Sequence, residues 1–189
     1  MQKNNRTMTT KTLAYCALLA ALNVVLARLL GLMPNASVRF SIEAIPLFLA
    51  GMFFGPVAGG MVGFAADFVG CLFSPFGYNP IFCIPPILYG VFGGLLRHFI
   101  AKNNALWRLA VSFLCPVVLG SVLYQSATLA RMYFDGPFTE GFLYYLSTRS
   151  VQFAITLVLD VMVIYLLLRT NIFTRMGIWP PVKRERKSS

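Results

Sequence analysis

Residues 42–73 read IEAIPLFLAGMFFGPVAGGMVGFAADFVGCLF, and the Gly55-Pro56 pair in the middle of this stretch decides the helix count. Apolar residues fill both sides of the pair, from 42 to 54 and from 57 to 73. Proline has no N–H to donate inside a helix, and it also restricts the backbone of the residue before it. The sequence therefore predicts a tight turn between two short helices rather than one long helix.

Four further apolar segments flank this pair of helices, at residues 12–32, 81–99, 106–133 and 142–168. The chain of 189 residues is 58% hydrophobic and only 12% charged, which exceeds what a water-soluble core can use. An apolar run of roughly 20 residues crosses the hydrocarbon as a helix, since lipid offers the backbone no hydrogen-bond partners. These observations predict an all-α membrane protein, a compact bundle of six transmembrane helices in a single domain, 1–189.

The basic residues divide unevenly between the two ends of this bundle. The chain carries 16 lysines and arginines, and most of them lie in the tail 1–11, in the loop after the fourth span and in the tail 169–189. Basic residues concentrate in cytoplasmic loops, and an even number of spans returns the chain to its starting side, so both termini are predicted to be cytoplasmic. The basic C-terminal tail is interpreted as a flank that touches anionic membrane lipid, not as a nucleic-acid site.

A second group of basic residues lies at the outer ends of the spans, where the preference for the cytoplasmic side predicts few of them. It consists of four arginines: Arg28, Arg39, Arg131 and Arg149. An arginine that faces lipid costs several kcal/mol, so such residues usually point into a protein cavity and bind an anion. The pattern predicts a basic outer pocket, whose planar guanidinium groups suit carboxylates. The alternative for each arginine is snorkelling to outer headgroups or pairing with acidic residues at the same end: Glu43, Asp135 and Glu140.

Two carboxylates lie inside predicted spans and differ in depth. Asp67 lies about ten residues into the third span, roughly 15 Å from the turn at the helical rise, so it reaches the floor of an outward-opening pocket. A carboxylate there either accepts parallel hydrogen bonds from a heterocycle or pairs with an arginine. Asp160 lies in the inner half of the last span, where a structural hydrogen bond is the expectation.

Small residues recur at helical spacing in several spans. Glycines follow every fourth residue around the Gly55-Pro56 turn and again on the fourth span: Gly51, Gly55, Gly59, Gly63, Gly90 and Gly94. Such spacing lets helix backbones approach closely, and it predicts tight packing around the turn. On the first helix, Ala14, Ala17 and Ala21 form a smooth strip that packs either inside the bundle or against a partner helix.

Several ordered motifs resemble those of one family of membrane proteins. They are Arg39-Phe40 with Glu43-Ala44-Ile45-Pro46, Phe54-Gly55-Pro56, Ala65-Ala66-Asp67-Phe68-Val69-Gly70, Gly77-Tyr78-Asn79-Pro80 and Leu88-Tyr89-Gly90. Through them the chain resembles the substrate-binding S component of an energy-coupling factor (ECF) vitamin transporter, most closely the folate-specific branch. The resemblance covers nearly the whole chain and implies a multi-pass protein of the bacterial plasma membrane that binds a vitamin from outside.

The resemblance also implies partners and roles for individual residues. The partners are a transmembrane coupling subunit, which the strip of Ala14, Ala17 and Ala21 would face, and two cytoplasmic ATPases that hydrolyse ATP. The implied ligand contacts are arginines on the carboxylates of folate, aromatic walls, an aspartate on the pterin edge and further polar contacts: Arg28, Arg39 and Arg149; Phe40 and Tyr78; Asp67; Asn79, Tyr124 and Gln152.

Two other functions stay open from the sequence. One is a carrier for another heterocyclic vitamin or a queuosine-type precursor, and the other is a membrane enzyme that uses Asp67 as acid or base on a lipid or isoprenoid. Such an enzyme needs a second activating group, but the one histidine, His98, lies in a predicted cytoplasmic loop far from Asp67. The four cysteines form no C-x-x-C pair, and the chain has no G-x-x-x-x-G-K-[ST] phosphate loop. Neither catalysis nor a metal or cofactor is therefore expected.

Overall fold

The computed structural model of the protein describes residues 10–29, 32–35, 38–40, 42–73, 79–102, 106–170 and 173; for 28–29, 32–35 and 38–40 it describes the backbone alone. These residues form eight α-helices and one β-hairpin. The helices are α1 Thr10–Leu29, α2 Ala44–Phe54, α3 Pro56–Leu72, α4 Ile84–Leu95, α5 Arg97–Ala101, α6 Leu106–Pro116, α7 Gln125–Tyr133 and α8 Phe138–Arg169. The predicted all-α class is confirmed, with the hairpin as an addition.

The β-hairpin follows α1, where the sequence pattern predicts helix up to residue 32. Strand β1, Leu32–Asn35, pairs antiparallel with β2, Val38–Phe40, with Leu32 opposite Phe40 and Asn35 opposite Val38. Pro34 within β1 is a poor helix residue, which is one physical reason why α1 ends earlier, at Leu29. Strand β2 packs against α8, so the hairpin lies beside the longest helix of the bundle.

Gly55 forms the predicted turn between α2 and α3. Its φ of 102° lies in the left-handed region, which glycine adopts readily because it has no Cβ. Its N–H donates to the carbonyl of Gly51 at 2.8 Å, and its own carbonyl accepts from the N–H of Gly59 at 2.9 Å. Pro56 opens α3, where the missing N–H has no helical partner in any case. The predicted break between two short helices is confirmed.

The glycines bring the backbones of α2, α3 and α4 into direct contact. A Cβ atom on Gly51 or on Gly59 would collide with the carbonyl oxygen of Gly90, and one on Gly94 would collide with the backbone nitrogen of Pro56. These contacts confirm the close packing that the four-residue glycine spacing predicts. The three short helices therefore form one tight unit around the Gly55 turn.

The predicted fourth span, 81–99, is divided into three pieces. Pro80–Cys83 forms a 3-10 turn, α4 follows, and the helix breaks at Leu96 before α5. The side chain of Asn79 caps the turn by accepting a hydrogen bond from the N–H of Ile81 at 3.1 Å. This asparagine cap and the proline after it position the start of the 3-10 turn. The cap accepts a hydrogen bond from a backbone N–H that has no partner within the turn.

The last two predicted spans are longer helices with local irregularities. Leu106–Tyr133 is one apolar rod, but the segment Val117–Tyr124 after Pro116 is π-helical, a deviation that is frequent at functional sites. Helix α8 begins at Phe138, directly after the extended Pro137, rather than at residue 142. Glu140 in its first turn complements the positive end of the helix dipole.

Burial is consistent with lipid around the bundle. Phe48 and Phe113 are fully buried in the core, while Val57 is 76% exposed and Leu72 is 69% exposed. Among the described residues, three helical rods are long and apolar enough to cross a membrane: Thr10–Ala27, Leu106–Tyr133 and Phe138–Arg169. Shorter apolar helices are Ala44–Phe54, Pro56–Leu72 and Pro80–Leu95. Large apolar side chains turned outward on so many helices mark a membrane-embedded surface.

Candidate ligand-binding site

A line of polar side chains runs along the inward face of α8, and we call these four residues the polar strip: Arg149, Gln152, Thr156 and Asp160. Their spacing of three, four and four residues keeps them on one face of a helix. Gln152 is 5% exposed, Thr156 is 4% exposed and Asp160 is 3% exposed. Polar groups are costly to bury, so a strip of them inside an apolar bundle indicates a binding or structural role.

Arg149 forms the outer end of the polar strip and is half-buried. Its Nη1 donates to Oε1 of Gln125, the first residue of α7, at 2.8 Å, and its guanidinium lies 5.8 Å from the ring centroid of Phe153. Within the described part of the chain, its Nε has no hydrogen-bond partner and no carboxylate forms an ion pair with it. A guanidinium held by a neutral amide keeps its full positive charge for an anionic ligand.

Helix α4 and the π-helical segment form the wall opposite the polar strip. The hydroxyl groups of Tyr89 and Ser121 lie 3.0 Å apart and share a buried hydrogen bond. The π-helical segment packs against both α4 and α8, so this wall lies next to the helix that carries the polar strip.

One polar contact joins α1 to the start of α2. The side-chain amide of the buried Asn23 donates to the backbone carbonyl of Glu43, which precedes α2. Helix α2 has 11 residues, so Glu43 lies roughly 18 Å from the Gly55 turn at the helical rise. The Asn23–Glu43 contact is therefore less than a membrane thickness from the turn.

The structure brings together two residues of the predicted binding set, Arg149 and Gln152, on the polar strip. Arg149 does not open the last helix as the sequence pattern suggests, because α8 begins at Phe138 and Arg149 lies about three turns inside it. Tyr124 is half-buried at the end of the π-helical segment, beside Gln125.

Asp67 and Asn79 lie in other surroundings. Asp67 is half-buried on α3, and its Oδ2 is 4.0 Å from Sγ of Cys71, a weak donor one turn away. The side chain of Asn79 caps the 3-10 turn, as described above. The side chains of Arg28, Arg39 and Phe40, and the whole of Tyr78, lie outside the described residues.

Asp160 forms the inner end of the polar strip. Its Oδ1 is buried and has no hydrogen-bond partner among the described residues, so the structural hydrogen bond expected for this residue is not seen at that oxygen. Asp160 also lies nine residues before Arg169, the last residue of α8, which corresponds to about 14 Å along the helix. It therefore lies in the inner half of a bilayer core of about 30 Å, as expected from the sequence, and close to its middle.

Several polar residues of this region are missing from the predicted set, among them Tyr89, Ser121, Gln125, Thr156 and Asp160. Hydroxyl groups are common in apolar helices, and their pairing across helices is a tertiary feature that spacing alone does not reveal. The sequence does contain a signal for Gln125, because a side-chain amide within the apolar rod 106–133 needs a hydrogen-bond partner inside the bundle.

Comparison with known proteins assigns the family. The model of the family described as "ECF transporter, substrate-specific component" matches residues 11–168 of this chain. The chain belongs to this family of S components. Members of it are transporter subunits that bind substrate, which agrees with the resemblance seen in the motifs.

Two relatives of this S component are FolT proteins, and a third protein of the same fold is an S component for biotin. The curated folate transporter FolT of Clostridium novyi (strain NT) is 34% identical over 83 residues, 41% of this chain, and the match spans about half of that protein's length, 48%. A crystal structure of FolT bound with folic acid has a TM-score of 0.70 and 28% identity, covering 84% of this chain and 92% of that one. An S component for biotin has the same fold, with a TM-score of 0.63 and 17% identity over 84% of this chain and 91% of that one.

Proposed function

We propose that this S component captures folate from the outer face of a bacterial plasma membrane for import. The observation that carries the proposal is the guanidinium of Arg149, which is held inside the bundle by the neutral Gln125. Folate carries two carboxylates on its glutamate tail, and charge-assisted hydrogen bonds to a guanidinium are among the strongest in proteins. The likeness to FolT bound with folic acid supports this choice of ligand over other vitamins.

The proposed topology has six crossings with both termini in the cytoplasm. Three long helical rods and three shorter apolar helices supply the six segments. Arg108, in the first turn of α6, supports the cytoplasmic assignment of that end. Its guanidinium donates to the carbonyl of Phe99 at 3.2 Å and lies over the rings of Phe99 and Trp107. Basic and aromatic side chains together are typical of an inner membrane interface.

The proposed ligand contacts differ in the support they have. Arg149 and Gln152 are supported by their place on the polar strip, and Tyr124 by its proximity to Gln125. Asn79 has a capping function that already occupies its side-chain oxygen. The remaining members of the proposed set rest on the resemblance and on charge: Arg28, Arg39, Phe40, Asp67 and Tyr78.

The proposed partners are a transmembrane coupling subunit and two cytoplasmic ATPases, which supply the energy for uptake. Ala14, Ala17 and Ala21 are exposed on one face of α1, together with Leu18, which is 64% exposed. A smooth, small-residue face that is not packed inside the bundle suits close contact with another helix. We assign this face to the coupling subunit.

Binding of folate to the purified chain in detergent tests the proposed function. We expect saturable binding of folate that is at least about tenfold tighter than binding of riboflavin, thiamine or biotin, a difference of about 1.4 kcal/mol. Tighter binding of one of the other vitamins would keep the S component assignment but overturn folate as its ligand. Heat-denatured protein in the same detergent is the control for partition of ligands into micelles.

A further inference from the structure

Asp160, at the inner end of the polar strip, has no role among the proposed ligand contacts. Asp160 is 3% exposed, and its Oδ1 is buried without a hydrogen-bond partner among the described residues. Burying an acceptor without a partner is costly, and nearly all such atoms in proteins are satisfied by protein, water or ligand. Asp160 therefore has an acceptor available for a donor from outside the chain.

Asp160 and Arg149 are arranged as two ends of one site. They are separated by about three helical turns, which places them on the same face of α8 and roughly 16 Å apart along its axis. Arg149 presents a cation near the outer end, and Asp160 presents an acceptor near the middle of the bilayer. An elongated ligand with an anionic tail and a donor-bearing head matches this order of charges.

The residues between the two ends favour a ligand lying lengthwise. Phe153 lies beneath the guanidinium of Arg149, and the hydroxyl of Thr156 donates to the carbonyl of Gln152 at 3.0 Å within its own helix. The donor of Thr156 is thus occupied, and this hydroxyl does not satisfy Asp160. On the opposite wall, the hydroxyls of Tyr89 and Ser121 pair with each other at 3.0 Å. Thr156 and one of these two hydroxyls therefore already donate to acceptors other than Asp160.

The geometry points to Asp160 as the residue that binds the donor edge of the ligand's heterocycle, the role that the resemblance gives to Asp67. A carboxyl group has two oxygens, which match the adjacent ring N–H and exocyclic amino group of a pterin. Asp67 is half-buried on α3, which does not carry the polar strip. This inference rests on the proposed folate function, and it names the residue that distinguishes a pterin head from other flat rings.

The test measures folate dissociation constants for the wild type, Asp160→Asn, Asp67→Asn and a control, Asp135→Asn, which removes an exposed carboxylate. Asparagine keeps the shape of Asp160 but places an amino group against the pterin donors. We expect folate to bind Asp160→Asn about 10- to 100-fold more weakly, as for loss of a charge-assisted hydrogen bond. Asp135→Asn should bind as the wild type does, and Asp67→Asn should lose clearly less affinity than Asp160→Asn.

A change in the ligand tests the same contact without altering the protein. Folate lacking the 2-amino group should bind the wild type more weakly than folate does, while Asp160→Asn should hardly distinguish the two ligands. The inference is overturned if Asp160→Asn binds folate as the wild type does, if the loss occurs in Asp67→Asn instead, or if the wild type does not distinguish the two ligands. Failure of the wild type to bind folate at all overturns the proposed function and this inference together.

Discussion

Replacing Gly59 with alanine tests how tightly the three short helices are packed. An ideal Cβ on Gly59 would lie 2.5 Å from the Cα of Gly51 and even closer to the carbonyl oxygen of Gly90, whereas ordinary contact begins at 3.4 Å. The helix backbones must therefore separate by about 1 Å, which a close-packed interior resists. Overpacking of this kind costs about 1–3 kcal/mol, and because both neighbours are backbone atoms we expect the upper end of that range.

Gly60, the next residue of α3, is the matched control. A Cβ there would lie 3.1 Å from Cγ2 of Val91 and 3.7 Å from Cγ2 of Ile87, both on flexible side chains. Alanine in place of a helical glycine gains about 0.5–1 kcal/mol of helix propensity, which offsets this mild contact. Thermal unfolding in detergent should show a clearly lower midpoint for Gly59→Ala and an unchanged or higher one for Gly60→Ala. Equal midpoints for the two variants would refute the packing of α2, α3 and α4.

Three further changes probe the wall, the turn and the partner face. Tyr89→Phe removes a buried hydrogen bond and should cost about 1–2 kcal/mol, but much less in a Ser121→Ala background; additive losses of unfolding free energy would contradict the pairing. Gly55→Ala forces a side chain into a left-handed backbone and should cost about 1–3 kcal/mol in thermal unfolding, so an unaltered midpoint would rule out that turn. Ala17→Leu should abolish folate uptake by the assembled transporter while leaving the dissociation constant of the purified chain unchanged; weaker binding would instead indicate packing inside the bundle.

The features that sequence predicts well here are those fixed by local backbone chemistry. The break at Gly55 follows from the properties of glycine and proline, and the close approach at Gly90 follows from the absence of a Cβ. The break does not depend on which other helices lie nearby, whereas the glycine spacing predicts a close approach without naming the partner helix. The family resemblance rests on the same motifs, which is why it agrees with the family assignment over residues 11–168.

The irregular segments were less predictable because hydropathy does not record them. The hairpin of β1 and β2 has apolar residues that continue the pattern of α1, and its pairing depends on contacts between strands. The π-helical segment Val117–Tyr124 is as apolar as the helices on either side of it. Hydropathy predicts that these residues lie in the membrane region, but not which backbone form they adopt.

Within the candidate site, the sequence predicts the role of Arg149 better than that of Asp160. Arg149 could be predicted because a guanidinium in an apolar helix needs an internal partner. Asp160 obeys the same rule, but the sequence analysis assigned it a structural hydrogen bond and left it out of the candidate site. Its missing hydrogen bond is visible only once the surrounding side chains are placed.

The most direct test of the central claim compares folate binding to Arg149→Gln and Arg131→Gln. Arg149 is held inside the bundle by Gln125, whereas Arg131 is exposed and lies over the ring of Phe138 at 5.4 Å. Both substitutions remove one positive charge from the same end of the protein. The account predicts about 10-fold or greater loss of affinity for Arg149→Gln alone, as for a charge-assisted hydrogen bond. Equal affinities for the two variants would contradict it.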